Sequence, residues 1–279
     1  MFYQPMLLGT SKSVFSSPNH IFETKYDGIR ILYSNVDKPI LYTRNRGIVT
    51  KQFPELLIQP PPNTILDGEM VVFNEDGKDD FDGIKKRFFM KKEEKIFVYA
   101  ASLPATYMVF DILHHEGKDL RNLPLLERKS ILNNVLVEQK YIHRVSFVDT
   151  KGEELFSEIQ DKKLEGIVAK QKASKYVGKR SSQWLKMINW LEAEAVITGY
   201  RKKDNALLCC HLDLRPLGLV LSGMSPVHRE AFFKIARGIK TGEDWEYIHL
   251  EPLLRCQVKG RGFTSKGILR SPIFVDFIL

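Results

Sequence analysis

The chain has 279 residues, 43% hydrophobic and 27% charged, with a formal net charge of +8. That length allows a sizeable core or two modest domains, and the composition excludes a chain disordered along its length. No apolar run reaches the roughly 18 residues of a membrane span, and the start, MFYQPMLLGTSK, lacks the basic-then-apolar pattern of a secretory leader. The expected location is therefore cytoplasmic, or nuclear in a host with a nucleus. The excess of Lys and Arg suits a polyanionic partner. Cys209, Cys210 and Cys256 lack metal-ligand spacing and read as free thiols in a reducing compartment.

HIFETK (20–25) alternates as a strand, and DGIRILYS follows, with Asp27-Gly28 as a turn or bulge. PILYTRN is another short strand. NTILDGEMVVFNEDGK reads as two strands, MVVF the second, closed by an Asp76-Gly77 turn. FDGIKKRFFMKKEEK reads as one helix from near Asp82 with a basic face. ATYMVFDILHHEG is a strongly apolar strand. LPLLERKSILNNVLVEQ spaces Leu126, Ile131, Leu132, Val135 and Leu136 as an amphipathic helix, with Pro124 in its first turn. ELFSEIQDKKL, from Glu154, is a further helix; EGIVAK and WLKMINW are short strands.

Near Asn189 the pattern changes. LEAEAVITGYRK, NALLCCHLDLRP, LGLVLSG and IFVDFIL read as strands, with the helix VHREAFFKIARG inserted among them, which fits a small barrel of about five strands. The expected class is α+β, with domains at 1–189 and 190–279. No internal repeat is visible, and Pro60-Pro61-Pro62 is a stiff connection.

The sharpest segment is Glu23-Thr24-Lys25-Tyr26-Asp27-Gly28-Ile29-Arg30. Alternation puts Glu23 and Lys25 on one face. Gly28 lets the backbone approach a ligand closely. Arg30 offers a planar fork suited to phosphate, and a lysine in so crowded a site can act as a nucleophile. Taken alone, the octapeptide could equally be a strand with solvent-facing charges and a turn.

Five more motifs follow in order: Thr43-Arg44-Asn45-Arg46-Gly47, Leu66-Asp67-Gly68-Glu69, Tyr107-Met108-Val109-Phe110-Asp111, Glu165-Gly166-Ile167-Val168-Ala169-Lys170 and Trp184-Leu185-Lys186-Met187. With KYDGIR, they resemble the covalent nucleotidyltransferase superfamily of ATP-dependent DNA ligases, RNA ligases and mRNA capping enzymes. The nearest likeness is to the small bacterial and phage-type two-domain ATP-dependent DNA ligases, from Lys25 to about Arg270.

That resemblance implies an adenylation domain of antiparallel sheets with flanking helices, followed by an OB-fold barrel. It implies ATP as AMP donor, Mg²⁺ (or Mn²⁺) as the ion, nicked duplex DNA as substrate, and a monomer. Lys25 would form a covalent lysyl-AMP, Asp27 would orient the site, and Lys186 would contact the α-phosphate. Glu23, Arg30, Arg44, Glu69, Phe110 and Lys170 would hold nucleotide, Phe110 by stacking on adenine. Glu165 and Glu69 would hold metal. Arg30, Arg44, Arg46, Lys202 and Arg270 would meet DNA, Arg270 within the segment 262–274. Basic runs at Lys85-Lys86-Arg87, Lys91-Lys92, 170–180 and 201–203 would track phosphates.

Three departures stand out. Ile188 occupies the place where the family often has a second lysine. The sequence ends at Leu279 without the family's R-x-D-K-like tail, so the expectation is either slow self-adenylation or a replacement by Lys259, Arg261 or Lys266. Only 24 residues precede Lys25, so no large helical DNA-binding domain is expected ahead of it. The competing readings are an RNA ligase, a GTP-using capping enzyme and a non-catalytic nucleic-acid-binding module.

Overall fold

The computed structural model describes residues 1–56, 61–264 and 266–278, so Pro60 of the proline run and Ser265 of the closing segment lie outside the described residues. The chain divides into two compact units, Met1–Asn189 and Trp190–Leu279. Among the described residues no helix is long and apolar enough to cross a membrane.

The first unit runs β1 (Leu7–Thr10), β2 (His20–Thr24), β3 (Ile29–Asn35), β4 (Ile40–Thr43), β5 (Thr64–Val71), α1 (Phe81–Phe88), α2 (Glu93–Ser102), β6 (Thr106–His115), β7 (Lys118–Asp119), α3 (Leu125–Val135), β8 (Ile142–Arg144), β9 (Phe147–Asp149), α4 (Gly152–Asp161), β10 (Gly166–Gln171) and β11 (Arg180–Ile188). One sheet has the order β1-β11-β10-β2-β9, the other β4-β3-β5-β6-β7 with β8 beside β6. Pairing is antiparallel except for β1 with β11 and β8 with β6.

Two-residue periodicity gives the first sheet two chemically different faces. Phe22, Ile167, Ala169 and Met187 form one core with Phe156 and Ile159 of α4. Register puts Glu23, Val168 and Lys186 in line across β2, β10 and β11, with Ile21, Lys170 and Trp184 in the next row. Those rows form the other face. The second sheet packs Ile31, Tyr33, Leu66, Met70, Tyr107 and Ile112 around Leu132 of α3.

Two expectations fail here. TILDGEMV is one strand, not two. Gly68 marks close packing within that strand: a Cβ there would lie 2.6 Å from Met108 O and from the Tyr107 ring. The turn falls at Gly77, whose φ is +72°. The basic helix is two helices, α1 and α2. Between them Arg87 is fully buried, donating to Gln52 O, Tyr99 O and Leu103 O and pairing with Glu55 at 2.8 Å. Arg87 thus holds the fold together and is not available to track phosphates.

The second unit comprises β12 (Leu191–Arg201), β13 (Leu207–Cys210), β14 (Pro216–Val220), α5 (Pro226–Ala236), β15 (Lys240–Glu243), β16 (Tyr247–Gly260) and β17 (Ile273–Ile278). The strand order is β14-β13-β12-β16-β15, with β17 also on β16. A parallel bridge from Ser222 to Ile273 brings the chain after β14 against β17, curling the sheet towards closure. Inside lie Ile197, Cys209, Leu217, Phe232, Cys256, Val258 and Phe274. Ser225 caps α5 by accepting from His228 N at 3.2 Å, ahead of Pro226. All three cysteines are free thiols. The strands β15 and β16 did not stand out in the sequence.

Candidate active site

Strand β2 delivers Lys25 just past its end, where Lys25 N donates to Gly166 O at 2.9 Å. The side chain meets Glu165, the residue before β10, with Nζ 2.6 Å from Oε2. Gly166 has φ +149°, and a Cβ there would lie 2.1 Å from Met187 O. Glycine is thus required to turn the chain at Glu165 and enter β10.

Arg30 begins the opposite wall. Its Nε and Nη2 each donate to Asp67 at 2.5 Å, and Asp67 also accepts from Tyr176 Oη at 2.5 Å. Burial alone would weaken the arginine's charge, but the Asp67 carboxylate overrides it and holds the guanidinium firmly protonated. Phe110 sits where the β5–β6 register slips between Asp67↔Asp111 and Gly68↔Val109. A bulge re-aims a side chain in this way. Arg30 lies 4.5 Å and Lys170 4.2 Å from its ring centroid.

Lys170 also lies 4.1 Å from the Trp184 ring and 2.6 Å from Glu23 Oε2. Burial pulls its ammonium down to about 8, against the opposing pull of Glu23. Burial pushes the Glu69 carboxyl up to about 7, although Lys25 and Arg30 pull it back. Asp79 rises to about 6, again chiefly through burial, while accepting from Asp27 N at 2.7 Å. Buried carboxylates held this far from their ionised state are suited to receive a cation. Among the described residues no group of three or more His, Cys, Asp or Glu side chains forms a metal cage. A hard cation held at Glu165 and Glu69 would complete its shell with phosphate oxygens and water.

Lys25, Arg30, Glu69, Phe110, Lys170 and Glu23 line one cavity of about 50 Å³, together with Leu8, Tyr26, Val168 and Trp184. Ligand pockets run to about 300–1,000 Å³, so a nucleotide entering here must displace side chains, the cations over Phe110 first.

Lys186 is half-buried on the same sheet face, in register with Val168, but does not line that cavity. Ile188 follows on the same face at 8% exposure, so no ammonium stands at that point of β11. Arg44 and Arg46 are exposed in the turn after β4, away from the cavity lining. Lys202 pairs with Glu243 at 3.4 Å in the second unit. Arg270 N donates to Gly262 O at 2.8 Å, and Arg270 O accepts from Arg261 N at 2.9 Å.

Three residues near this chemistry were not singled out in the sequence. Val168 is an apolar wall of the cavity, hidden in the sequence as one of three interchangeable apolar positions. Asp79 is brought to Asp27 by the excursion after β5, which sequence distance conceals. Lys129, on α3, pairs with Glu23; helical spacing puts it on the buried face with Leu125 and Leu132, which its charge conceals.

Comparison with known proteins bears on the family and the fold. A family model for the ATP dependent DNA ligase domain matches residues 5–187. The SPbeta prophage-derived DNA ligase-like protein LigB of Bacillus subtilis (strain 168) is 38% identical over 277 residues, covering 98% of both chains. The multifunctional non-homologous end joining protein LigD of Pseudomonas aeruginosa is 30% identical, over 91% of this chain and 33% of that protein. A DNA ligase of Thermococcus fumicolans is 27% identical, over 91% of this chain and 51% of that one. The chain thus spans nearly all of the first relative and a third to a half of the others. Among solved structures, a Lig E DNA ligase aligns with a TM-score of 0.72 at 17% identity, covering all of both chains. Mycobacterial DNA ligase D complexed with ATP and MES aligns at 0.60 with 22% identity, over 99% of this chain and 95% of that one. At such identities the structural likeness speaks for the fold: mixed α+β with antiparallel sheets.

Proposed function

The chain belongs to the ATP-dependent DNA ligase family, and we propose that it seals nicks between a 5′-phosphate and a 3′-hydroxyl in duplex DNA, acting as a monomer through a lysyl-AMP at Lys25. The observation that carries this reading is Lys25 Nζ against Glu165 Oε2, in a cavity lined also by Arg30, Glu69, Phe110 and Lys170.

The contact between Lys25 and Glu165 must open before Nζ can attack the α-phosphate of ATP. The lysine's proton can leave along that contact. Nζ then forms a bond to phosphorus as the bond to pyrophosphate breaks. AMP passes to the 5′-phosphate of the nick, and the 3′-hydroxyl displaces it. Each transfer needs in-line alignment and neutralised phosphate charge. Arg30, Lys170 and Lys186 are the cations assigned to that work, with Asp27 orienting the nucleophile's segment. Glu165 and Glu69 would hold Mg²⁺, or Mn²⁺ in its place, which supplies positive charge at the phosphates when bound. Phe110 and Val168 would take the two faces of adenine.

The barrel-like second unit is read as the OB-fold, and the first unit as the adenylation domain. Arg44 and Arg46, exposed as they are, Lys202 and Arg270 are the assigned DNA contacts. Such contacts are independent of sequence and weaken with salt.

The test uses the whole chain, Mg²⁺ and α-labelled ATP, then a nicked duplex, with Lys25→Ala alongside. Label on the parent protein, lost as the nick is sealed and absent from the variant, is the expected result. Label from GTP alone would point to capping chemistry, and sealing confined to RNA-containing nicks to an RNA ligase. No label on a preparation shown to be free of AMP would refute the proposal.

A further inference from the structure

The second unit displays one tryptophan almost wholly to solvent. Trp245, at the tip of the β15–β16 hairpin, is 88% exposed. Among the described residues it is the one exposed large apolar side chain in that turn or in the neighbouring β12–β13 turn. The tip is built to hold it there. Asp244 Oδ1 accepts from Glu246 N at 2.8 Å and from Tyr247 N at 2.7 Å, and Oδ2 lies 2.9 Å from His249 Nε2. Lys202 N donates to Glu246 O at 2.9 Å, which ties the β12–β13 turn to the hairpin. Arg201 grips Asp204 through two hydrogen bonds of 2.9 and 2.7 Å, closing that second turn. Between the two turns lies an open cavity of about 410 Å³, lined by Lys202, Lys203, Trp245 and Glu246.

The charges at this corner are not equally available. Glu243 is shared by Lys202 at 3.4 Å and Lys240 at 3.0 Å. Asp204 is held by Arg201, Asp244 by the amides of its own turn, and Glu246 by the Tyr247 hydroxyl. Lys203 forms no ion pair among the described residues. An indole face beside an unpaired ammonium suits a planar base with its phosphate attached. A protein partner would call for further exposed apolar side chains around the tryptophan, and the two turns supply none. Bases within a duplex stack on one another and cannot present a face to Trp245, so the fitting ligand is an unpaired strand. The corner also stands apart from Arg270. β12 pairs Leu191 with Gly260 at one end and Arg201 with Tyr247 at the other, roughly 30 Å of strand away. Arg270 belongs to the first end, where its carbonyl accepts from Arg261 N.

We infer that Trp245 and Lys203 form a binding site for single-stranded DNA, with one unpaired base stacked on the indole and its phosphate met by Lys203. This deepens the reading of the second unit as an OB-fold that meets DNA, and rests on it. On that reading the two turns are the loops between the first and second and between the fourth and fifth strands, where such folds take oligonucleotides. The site adds grip on DNA ends or flaps that carry unpaired nucleotides. A nick with both strands fully paired has none to offer it.

The experiment measures binding of a labelled oligothymidylate of about twelve nucleotides, and of a blunt hairpin duplex, by fluorescence anisotropy. The whole chain is compared with Trp245→Ala, Trp245→Phe and Lys203→Gln. Loss of one stacked base should raise the Kd of Trp245→Ala for the oligothymidylate by about tenfold, and Trp245→Phe should recover part of that loss. For Trp245→Ala, the Kd for the duplex and the rate of nick sealing should stay within about twofold of the parent's, as for an exposed side chain outside both. Lys203→Gln should flatten the dependence of log Kd on log salt by about 0.7, the single-strand slope for one phosphate. A parent that binds no oligothymidylate overturns the proposal, as does a Trp245→Ala protein with parental affinity for it. Equal losses on oligothymidylate and duplex also overturn it, since the corner would then be an ordinary duplex contact. A chain that holds the oligothymidylate through Trp245 but takes no label from ATP strikes the ligase reading and upholds this site.

Discussion

Arg128 and Lys129 are consecutive on α3, and each meets a buried carboxylate, yet the two contacts are built differently. Arg128 gives Asp111 a two-pronged fork and donates its remaining Nη1 hydrogens to Leu123 O at 2.6 Å and Ser174 O at 3.0 Å. Both side chains are fully buried. Lys129 and Lys170 instead each pair with one oxygen of Glu23, two ammoniums sharing one carboxylate. A planar guanidinium can satisfy a carboxylate and the neighbouring carbonyls together. An ammonium on a flexible stem reaches one oxygen at a time, so two are gathered on Glu23. The arginine contact fixes the scaffold, and the lysine cluster stands at the wall of the cavity, where Glu23 and Lys170 line it.

The largest effect expected from this contrast is on stability. Arg128→Met leaves Asp111 buried without its partner and should cost about 3–5 kcal/mol in urea unfolding. Glu23→Gln should cost less, about 1–3 kcal/mol, because the amide keeps an oxygen facing the two lysines. Equal costs would erase the distinction between the two clusters.

A second prediction concerns pH. The folded pKa of Glu69, about 7, stands above its ordinary 4.5. Folding therefore favours its protonated form, and its contribution to stability declines as pH rises from about 4.5 through 7. Glu69→Gln keeps a neutral side chain at every pH. Its melting temperature should gain on the parent's between pH 5 and pH 8, while labelling is lost. A gap that is constant or shrinks as pH rises would remove Glu69 from the strained carboxylates of the site.

The smallest effect is at Val168. Trimming it to alanine removes apolar contact from one wall of the cavity and should raise the ATP concentration for half-maximal labelling by about fivefold. No change would mean that the base does not pack there.

Much of the framework was legible because it is local. HIFET alternates as a strand should, EGIVAK is a nearly continuous apolar run with its charges at the ends, and Pro124 stands immediately before α3. The mixture of strands and helices followed from those signals, and the antiparallel sheets from the family resemblance. What escaped was fixed by distant partners. The unbroken course of β5 through Gly68 was hidden because the neighbours that require a glycine there, Met108 O and the Tyr107 ring, come from another strand. Arg87 looked like surface charge because its acceptors lie on two other segments, at Gln52 and at the end of α2. Strand β16 was obscured by Glu251 and Pro252, which interrupt its apolar run although its ladder with β12 extends to either side. The motif residues were conspicuous, but that Lys129 sits behind Glu23 is a property of the packing of α3 alone.

The most direct test is to label AMP-free protein with ATP and Mg²⁺, digest it, and locate the AMP by mass spectrometry. AMP on the peptide carrying Lys25, attached at its Nζ, is the expected result. AMP on any other side chain, or none at all, would contradict the assignment of Lys25 as the nucleophile.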